Sequence, residues 1–497
     1  MFVKNVQACI NAGVPAVAVQ TPEWERCAAQ IQCITPSYAC WSHVRGLMKD
    51  EQVLAEPVNP LAPFVAIEEM EDTIVVFINF NIAMKHPTVI QRVRDVIPYC
   101  KANGVTLVFL SVSGEISAEL EKEILVLDYD LPDRKAIQSV INGLGDYAEG
   151  KSDGYDQMVE AATGLIMSEA ENYIALALAK NGLVLNEKAV EDVKRQKATA
   201  LKKSGVLELY EPDNLPKVGG LDQLKIWLWE RGKAFSPEAR EFGLPFPKGI
   251  LVFGVPGTGK SLIAKTIARQ WNMQLLMMGN VLDKYVGESE KKMKEALKIA
   301  ERMAPCVLMI DEIEKFFAGI GGSSDSGVST RIFGLFLSWM QETKAPVFVV
   351  ATANNIAGLP PELLRKGRFD ELWFVDLPGD FERQEIISIH LKQNKRDDSE
   401  FDLPMLAKQT SGYTGSEIEQ VVLAGLFRAF SRGKDIDTET LLEAAKETAP
   451  LSVTMAEQIA QMREWGKTRA RLASTPDAVA PESKLNAFVI NRKLKGI

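Results

Sequence analysis

Eight consecutive residues near the middle of the chain could bind phosphate. The stretch Gly254–Ser261 contains three glycines, follows an apolar run at residues 249–253, and precedes a helix-like segment at residues 262–269. Glycines let a loop wrap closely around an anion, and the amides at the start of the next helix direct partial positive charge toward it. The pattern predicts that Lys260 reaches the β- and γ-phosphates of a nucleotide and that Ser261 offers its hydroxyl to Mg²⁺. The loop residues expected to contact the nucleotide are Pro256, Gly257, Thr258, Gly259, Lys260, Ser261 and Leu262.

Polar side chains that could support hydrolysis end two further apolar runs. Residues 305–310 lead into Asp311 and Glu312, about 50 residues after Lys260, which is compatible with a neighbouring strand. Asp311 could bind Mg²⁺ and Glu312 could orient the attacking water. Asn354 ends a later run, where its amide could hold the same water or the γ-phosphate.

Two arginines and a pair of small residues are more ambiguous. Arg365 and Arg368 lie three residues apart and could match charge on a γ-phosphate in its transition state, although surface ion pairing is the alternative. Val218 and Gly219 precede an amphipathic segment, and the glycine could let the backbone approach a flat base. A plain turn at this place is the competing interpretation.

Composition limits the broad class of the protein. The 497 residues suggest about two to four domains. The net charge of −9 argues against a broad nucleic-acid-binding surface, so nucleic acid is an unlikely partner. No apolar run approaches the ~20 residues of a membrane span, and the first ten residues do not resemble a signal peptide. The six cysteines form no CxxC pair, and three distant histidines make a His-based metal site improbable.

The N-terminal part reads as a second α/β region without the chemistry. Residues 15–20, 74–80 and 106–111 are predicted strands of a parallel sheet. No phosphate-binding loop follows the first strand, and Asn79 and Asn81 stand where an acidic pair would be expected. This sheet therefore lacks the obvious parts for ATP hydrolysis.

An internal sequence similarity relates the two regions. Two stretches of the chain have the same order of predicted elements: a strand, a short polar loop, a helix with Glu-Leu, a strand, Asp-Leu-Pro and a helix. The first stretch is residues 107–120 with 130–134, and the second is residues 347–363 with 376–383. We interpret the N-terminal part as a degenerate copy of the later one, chance similarity being the alternative. Helical patterns follow the first copy, and residues 207–216 read as a proline-punctuated linker.

The segment from about 218 to 451 resembles the AAA ATPase module. Gly254–Ser261 is similar to its Walker A motif and residues 307–312 to its Walker B motif, and Asn354 sits at the sensor-1 position. The resemblance implies that Arg365 and Arg368 are fingers that act on the neighbouring subunit. It also implies that four residues lie near adenine: Val218, Gly219, Gly415 and Ser416.

The resemblance extends to substrate handling. Residues 284–289 resemble the first pore loop of ring-forming AAA proteins, in which Tyr285 and Val286 would grip a polypeptide; a buried tyrosine is the alternative. Over its whole length the chain resembles the AAA ATPases encoded as hypothetical chloroplast open reading frame forty-six in algal plastids, which have relatives in cyanobacteria. That group implies a role in photosynthetic or inorganic-carbon physiology, although its pore loop is less aromatic than the one here.

Together these observations predict an α/β protein with a P-loop parallel sheet and a helical lid, preceded by a degenerate AAA-like α/β domain with its own small helical domain. The expected domains are residues 1–132, 133–206, 207–378 (large ATPase domain), 379–451 (lid) and 452–497 (C-terminal helix and tail). The predicted function is ATP hydrolysis, with Mg²⁺, by a homo-oligomeric ring, hexameric in this family, that remodels or threads a protein partner. A nucleotide-gated assembly switch with slow turnover is the alternative. The expected compartment is the cytoplasm, or the plastid stroma if an organelle encodes the chain.

Overall fold

Two mixed sheets, one in each half of the chain, organise the structure. The computed structural model describes residues 2–57, 59–112, 116–117, 119–145, 154–202, 206–210, 218–278, 288–316, 328–365 and 367–475. The chain divides into two compact units, residues 1–197 and 198–497. We call them the first and second units and describe each by itself.

The first unit contains a sheet of seven strands among its described residues, in the order β4-β3-β2-β5-β6-β1-β7. The strands are β1 (Ala16–Gln20), β2 (Tyr38–Ser42), β3 (Gly46–Lys49), β4 (Gln52–Ala55), β5 (Ile74–Ile78), β6 (Thr106–Ser111) and β7 (Leu125–Asp128). The predicted parallel arrangement of β1, β5 and β6 is confirmed. Residues 38–55 add an antiparallel meander that the sequence did not indicate.

Helices cover this sheet and form a separate bundle after it. The helices of the first unit begin with α1 (Phe2–Asn11), α2 (Trp24–Gln32), α3 (Ala62–Ile67) and α4 (Pro87–Ala102), followed by the bundle α5 (Arg134–Gly143), α6 (Tyr155–Ala162), α7 (Met167–Lys180) and α8 (Glu187–Lys202). The bundle has its own apolar core, which includes Ile137, Met158 and Ile174. Each of its helices buries one apolar stripe against the others, as amphipathic helices do.

The second unit has a sheet with the order β14-β13-β9-β12-β11-β10-β8 among its described residues. The strands are β8 (Leu207–Tyr210), β9 (Gly249–Gly254), β10 (Gln274–Met278), β11 (Cys306–Ile310), β12 (Val347–Ala353), β13 (Glu371–Val375) and β14 (Arg471–Leu472). Every residue of β9, β11 and β12 is buried, because helices cover both faces of this parallel core. The linker interpretation is wrong for residues 207–210, which pair antiparallel with β10.

The helices of the second unit form a covering layer and a lid. The covering helices are α9 (Asp222–Gly232), α10 (Pro237–Glu241), α11 (Lys260–Gln270), α12 (Glu288–Met303), α13 (Ile313–Phe316) and α14 (Val328–Glu342). The lid comprises α15 (Asp380–Gln393), α16 (Leu403–Gln409), α17 (Gly415–Ser431) and α18 (Thr438–Glu447), and α19 (Leu451–Thr454) and α20 (Ala456–Arg469) follow it. Trp465 of α20 packs edge-on against Phe253, with ring centroids 4.9 Å apart. Directly after α20, residues 471 and 472 pair parallel with β13 as strand β14.

The two sheets share one five-strand order. In the first unit it is β7-β1-β6-β5-β2, and in the second it is β13-β9-β12-β11-β10. All neighbouring strands within each set run parallel. The predicted fold class, in which the first part repeats the fold of the second, is confirmed.

Candidate functional site

The loop between β9 and α11 has the backbone geometry of an anion-binding cradle. Gly257 and Gly259 have φ angles of 78° and 83°, a region that residues with a side chain rarely adopt. Helix α11 begins directly after Gly259, so the unbonded amides of its first turn lie beside the loop. Thr258 Oγ1 donates to Val255 O at 2.8 Å and stabilises the turn, and Leu262 N donates to Gly259 O at 3.0 Å.

Lys260 lies at the base of this loop with its amine held in place. The residue is 6% exposed, and its Nζ donates to the carbonyl oxygens of Gly254 at 3.0 Å and Val255 at 2.8 Å. Burial lowers the pKa of Lys260 to about 8, while nearby carboxylates, Asp311 first, act in the opposite direction. Both of these acceptors are neutral carbonyl groups, so the charged oxygens of a phosphate would be stronger partners for the amine.

Ser261 and Asp311 are brought together as a pair of hard oxygen ligands. Ser261 Oγ donates to Asp311 Oδ1 at 3.1 Å and to Oδ2 at 3.0 Å. Thr352 Oγ1 also hydrogen-bonds Asp311 Oδ1 and accepts from the amide of Glu312 at 3.0 Å. Hydroxyl and carboxylate oxygens in this position suit Mg²⁺. Sequence reasoning did not single out Thr352, although it lies two residues before Asn354.

Glu312 and Asn354 form a second contact across the ends of neighbouring strands. Asn354 Nδ2 donates to Glu312 Oε1 at 2.9 Å, and Glu312 has a φ of 50°. The other oxygen of Glu312 pairs with Lys315. The amide of Asn354 donates to Glu314 Oε1 at 2.9 Å, so Glu314 is a further residue that positions this loop. Its partner oxygen, Glu314 Oε2, is buried without a hydrogen bond among the described residues.

The lid meets the phosphate-binding loop at the start of α17. The amide of Ser416 donates to Gly257 O at 3.0 Å, and Ser416 Oγ approaches the same oxygen at 3.3 Å. Gly415 lies 3.5 Å from Gly257 O, measured from the position a Cβ would take. The N-terminus of α17 is capped by Thr414, whose side chain accepts from Glu417 N. The start of the lid helix is thereby fixed beside the loop.

The segment Val218–Leu221 lies against the lid helix α15. A Cβ placed on Gly219 would lie 3.3 Å from Ile386 and 3.4 Å from Ile389. Ile386 Cδ1 also lies 3.9 Å from the corresponding position of Gly415. Ile386 therefore touches both segments that the sequence placed near adenine, and the sequence analysis missed it because only an aliphatic helix position marks it.

The two arginines stand apart from this network. Arg365 is exposed, and Arg368 is half-buried with its Nη1 buried and lacking a hydrogen-bond partner among the described residues. In the part of the chain that the structure describes, neither side chain has a hydrogen bond or ion pair with Lys260, Asp311 or Glu312. Tyr285 and Val286 lie outside the described residues. Where the structure does describe helices, none is long and apolar enough to cross a membrane.

The first unit has a different group at the place of the phosphate-binding loop. Only Thr21, Pro22 and Glu23 connect β1 to α2. The Glu23 side chain is 4% exposed; its Oε1 accepts from the amide of Met167 at 2.6 Å and its Oε2 pairs with Arg26 at 2.7 Å. Met167 is the first residue of α7, so an internal carboxylate lies at the N-terminus of this helix.

Sequence profiles of known families match the chain in three consecutive parts. The N-terminal domain of SpoVK-like AAA ATPases matches residues 2–129, and the second domain of SpoVK-like AAA ATPases matches residues 134–204. The ATPase family associated with various cellular activities (AAA) matches residues 250–377.

Individual relatives extend this similarity over almost the whole chain. The AAA domain-containing protein ycf46 of Guillardia theta is 33% identical over 491 residues, which cover 95% of this chain and 96% of the relative. Its counterpart in Pyropia yezoensis is 36% identical over 490 residues, covering 95% and 99%. The proteasome-activating nucleotidase of Saccharolobus solfataricus is 30% identical over 346 residues, covering 66% of this chain and 83% of the relative. With these matches and the phosphate-binding loop in place, the chain belongs to the AAA family of ATPases.

Proposed function

We propose that this ATPase works as a hexameric ring in which ATP turnover remodels or threads a protein partner. The observation that carries the proposal is the division of the candidate site. Lys260, Ser261, Asp311, Glu312 and Asn354 are linked through the loop and the strand ends, whereas both candidate finger arginines lie outside their contacts. Completion of the site by the arginines of a second subunit accounts for this division.

The chain's own groups would hold ATP and its metal ion. Lys260 and the loop amides bind the β- and γ-phosphates, and the segments at Val218–Gly219 and Gly415–Ser416 contact the base. Ser261 and Asp311 would hold Mg²⁺, which neutralises phosphate charge when it is bound. The glycines of the loop suit this role because a side chain at Gly257 would meet Thr414 Oγ1 at 3.1 Å.

Glu312 would orient the water that attacks the γ-phosphate. Asn354 donates to one of its carboxylate oxygens and so limits the directions that this carboxylate can take. Thr352 adds a second restraint, because it accepts from the Glu312 amide while it hydrogen-bonds Asp311. Positioning of this kind, rather than covalent chemistry, is the main task of a protein in phosphoryl transfer.

Arg365 and Arg368 would act on the ATP of the neighbouring subunit. A guanidinium fork matches the charge on the γ-phosphoryl oxygens in the transition state, and such fingers contribute roughly 10³–10⁵ in rate. Arg365 has an exposed side chain and Arg368 is half-buried, so both guanidinium groups have surface from which they could reach a neighbouring subunit. A monomer would lack these donors and turn over slowly.

A protein partner is the proposed substrate of the ring. The name of the archaeal relative states that it activates a proteasome, and Tyr285 and Val286 have the residue types of a loop that grips polypeptide. We retain the five domains proposed from sequence and expect the ring to act in the cytoplasm, or in the stroma of a plastid if an organelle encodes it.

Two experiments test this proposal. Mass determination of the Glu312→Gln chain, with and without ATP·Mg²⁺, is expected to show a shift from small species to six subunits. Chains carrying Arg365→Ala and Arg368→Ala are then mixed with Lys260→Ala chains. Each is expected to be inactive alone, and mixing is expected to restore part of the turnover because one chain supplies the loop and the other the fingers. A persistent monomer, or no restoration on mixing, would favour the assembly-switch alternative.

A further inference from the structure

Two carboxylates of the lid helix α15 hold the backbone of the segment Val218–Leu221. Glu385 Oε2 accepts from the amide of Gly220 at 2.7 Å, and Glu382 Oε1 accepts from the amide of Leu221 at 2.9 Å. Hydrogen bonds to an ionised acceptor are stronger than those between neutral groups. The lid therefore binds this segment through two of its backbone amides.

Lys225 holds the same segment from the other side. Its Nζ donates to the carbonyl oxygen of Val218 at 2.8 Å. Burial lowers the pKa of Lys225, and the carboxylates of Glu385, Glu382 and Asp222 oppose that effect. The lysine is thus both a hydrogen-bond donor to the segment and the counter-charge for the acids that bind it.

The fit between the segment and α15 leaves no space for a larger residue. Gly220 has a φ of 67°, and a Cβ at this position would lie 2.1 Å from Glu382 Oε1. A Cβ on Gly219 would lie 3.4 Å from the Glu385 side chain. Such close approach makes the position of Val218 and Gly219 depend on the position of α15.

Residues that follow β14 close the same junction. Ser474 Oγ donates to Glu382 Oε1 at 2.5 Å. The amide and hydroxyl of Thr475 donate to the two carboxylate oxygens of Asp222 at 2.8 and 2.7 Å. The segment, the lid helix, the start of α9 and the chain after β14 therefore meet in one hydrogen-bonded junction.

We propose that Glu385, together with Glu382 and Lys225, is a positioning residue for recognition of the nucleotide base. These three side chains would set the place of Val218 and Gly219 without touching the base or the reacting phosphate. The inference rests on the proposed function, in which this segment contacts adenine. It predicts that loss of the clamp weakens binding of the base and leaves the phosphate chemistry intact.

Glu385 is the residue to change, because Glu382 also caps α15 by accepting from Gly379 N. The Glu385→Ala chain is expected to bind ATP about five- to tenfold more weakly, in line with loss of one charge-assisted hydrogen bond. Its affinity for inorganic triphosphate, which has no base, and its kcat at saturating ATP should stay within twofold of the unaltered chain. Glu385→Gln keeps an acceptor and should recover most of the loss. Gln384→Ala, on the same helix, is the matched control.

The outcomes separate the clamp from the proposed site. Equal weakening of ATP and triphosphate binding by Glu385→Ala, or no weakening of either, would overturn the role of Glu385. If the unaltered chain bound ATP no more tightly than triphosphate, the base contact and the clamp would both be overturned. If Lys260→Ala still bound ATP normally, the proposed phosphate site would fail, whereas the base-dependent loss on Glu385→Ala could still be measured.

Discussion

The two units carry opposite charges at equivalent places of one fold. In each, the loop after the second strand of the shared order, β1 or β9, contacts the N-terminus of a later helix, α7 or α17. Each of these helices follows a glycine with positive φ, Gly164 or Gly412. In the second unit the loop has five residues and leads to Lys260, and in the first it has three and ends in Glu23. The equivalent loops therefore differ in charge: one leads to a lysine, and the other ends in a carboxylate that pairs within the first unit.

The two units differ in what contacts the N-terminus of the equivalent helix, α7 or α17. Helix α7 of the first unit has unbonded amides at its N-terminus, and the Glu23 carboxylate satisfies the amide of Met167. Helix α17 of the second unit starts beside the carbonyl oxygen of Gly257 instead. In the first unit, the hydrogen bond from Met167 to Glu23 thus joins the helical bundle to the loop after β1.

The largest expected effect on kcat distinguishes the acids after β11 from Asn79, which follows the equivalent strand β5 in the first unit. Glu312→Gln should lower kcat about 10²–10⁴-fold, because a neutral amide cannot assist the attacking water as a carboxylate does. Asn79, which follows β5 as Asp311 follows β11, should tolerate change to Ala with less than twofold loss. Steady-state phosphate release measures both. A comparable loss for Asn79→Ala would contradict a division of labour between the units.

Nucleotide affinity offers the next comparison. Lys260→Ala should weaken ATP binding at least about 100-fold, since it removes a charge that holds two phosphates. Glu23→Ala should leave the affinity of the full chain within twofold. Calorimetric titration should give one nucleotide per chain in the unaltered protein and in the Glu23 variant. A second equivalent bound in either protein would mean that the first unit retains a nucleotide site.

Stability of the first unit should depend on Glu23. Its replacement by Ala leaves the largely buried Arg26 without its carboxylate partner and removes the acceptor of the Met167 amide in α7, at a cost of about 3 kcal/mol. Hydrogen exchange of the first amides of α7 should accelerate accordingly. Glu23→Gln retains an acceptor and should cost about 1 kcal/mol. Glu25→Ala, which changes an exposed acid in the first turn of α2, is the control, and an equal effect from it would refute this role of Glu23.

The smallest effect concerns the sheet edges. Strand β13 is covered by β14, whereas β7 has no second neighbour among the described residues, and Leu125 and Val126 are exposed there. The outward amides of β7 should exchange about tenfold faster than those of β13, because an unpaired edge opens without breaking a ladder. Mass-spectrometric exchange resolves the two peptides. Equal protection would indicate that another segment covers β7.

Sequence reasoning succeeded where the signal is local. The strand, glycine loop and helix around Lys260 are consecutive, so their geometry follows from residue type and spacing, and β1, β5 and β6 follow from unbroken apolar runs. It failed for β2–β4, whose runs of four or five residues are too short to define a period. It also failed for β8, a four-residue edge strand that pairs with β10. Thr352 and Ile386 escaped notice because their roles arise only from neighbours on other elements.

By itself, the sequence determined that this chain is an AAA ATPase with one complete set of phosphate-binding motifs. The tertiary structure alone decided what occupies the corresponding place in the first unit, because Glu23 and Met167 are 144 positions apart and nothing in either residue announces the other. It also decided that Thr475 hydrogen-bonds Asp222 across 253 positions, next to the segment Val218–Leu221. A motif consists of residues that are close in sequence and can therefore be recognised there. Charge pairs and helix caps between distant segments depend on which of those segments the folded sheets bring together.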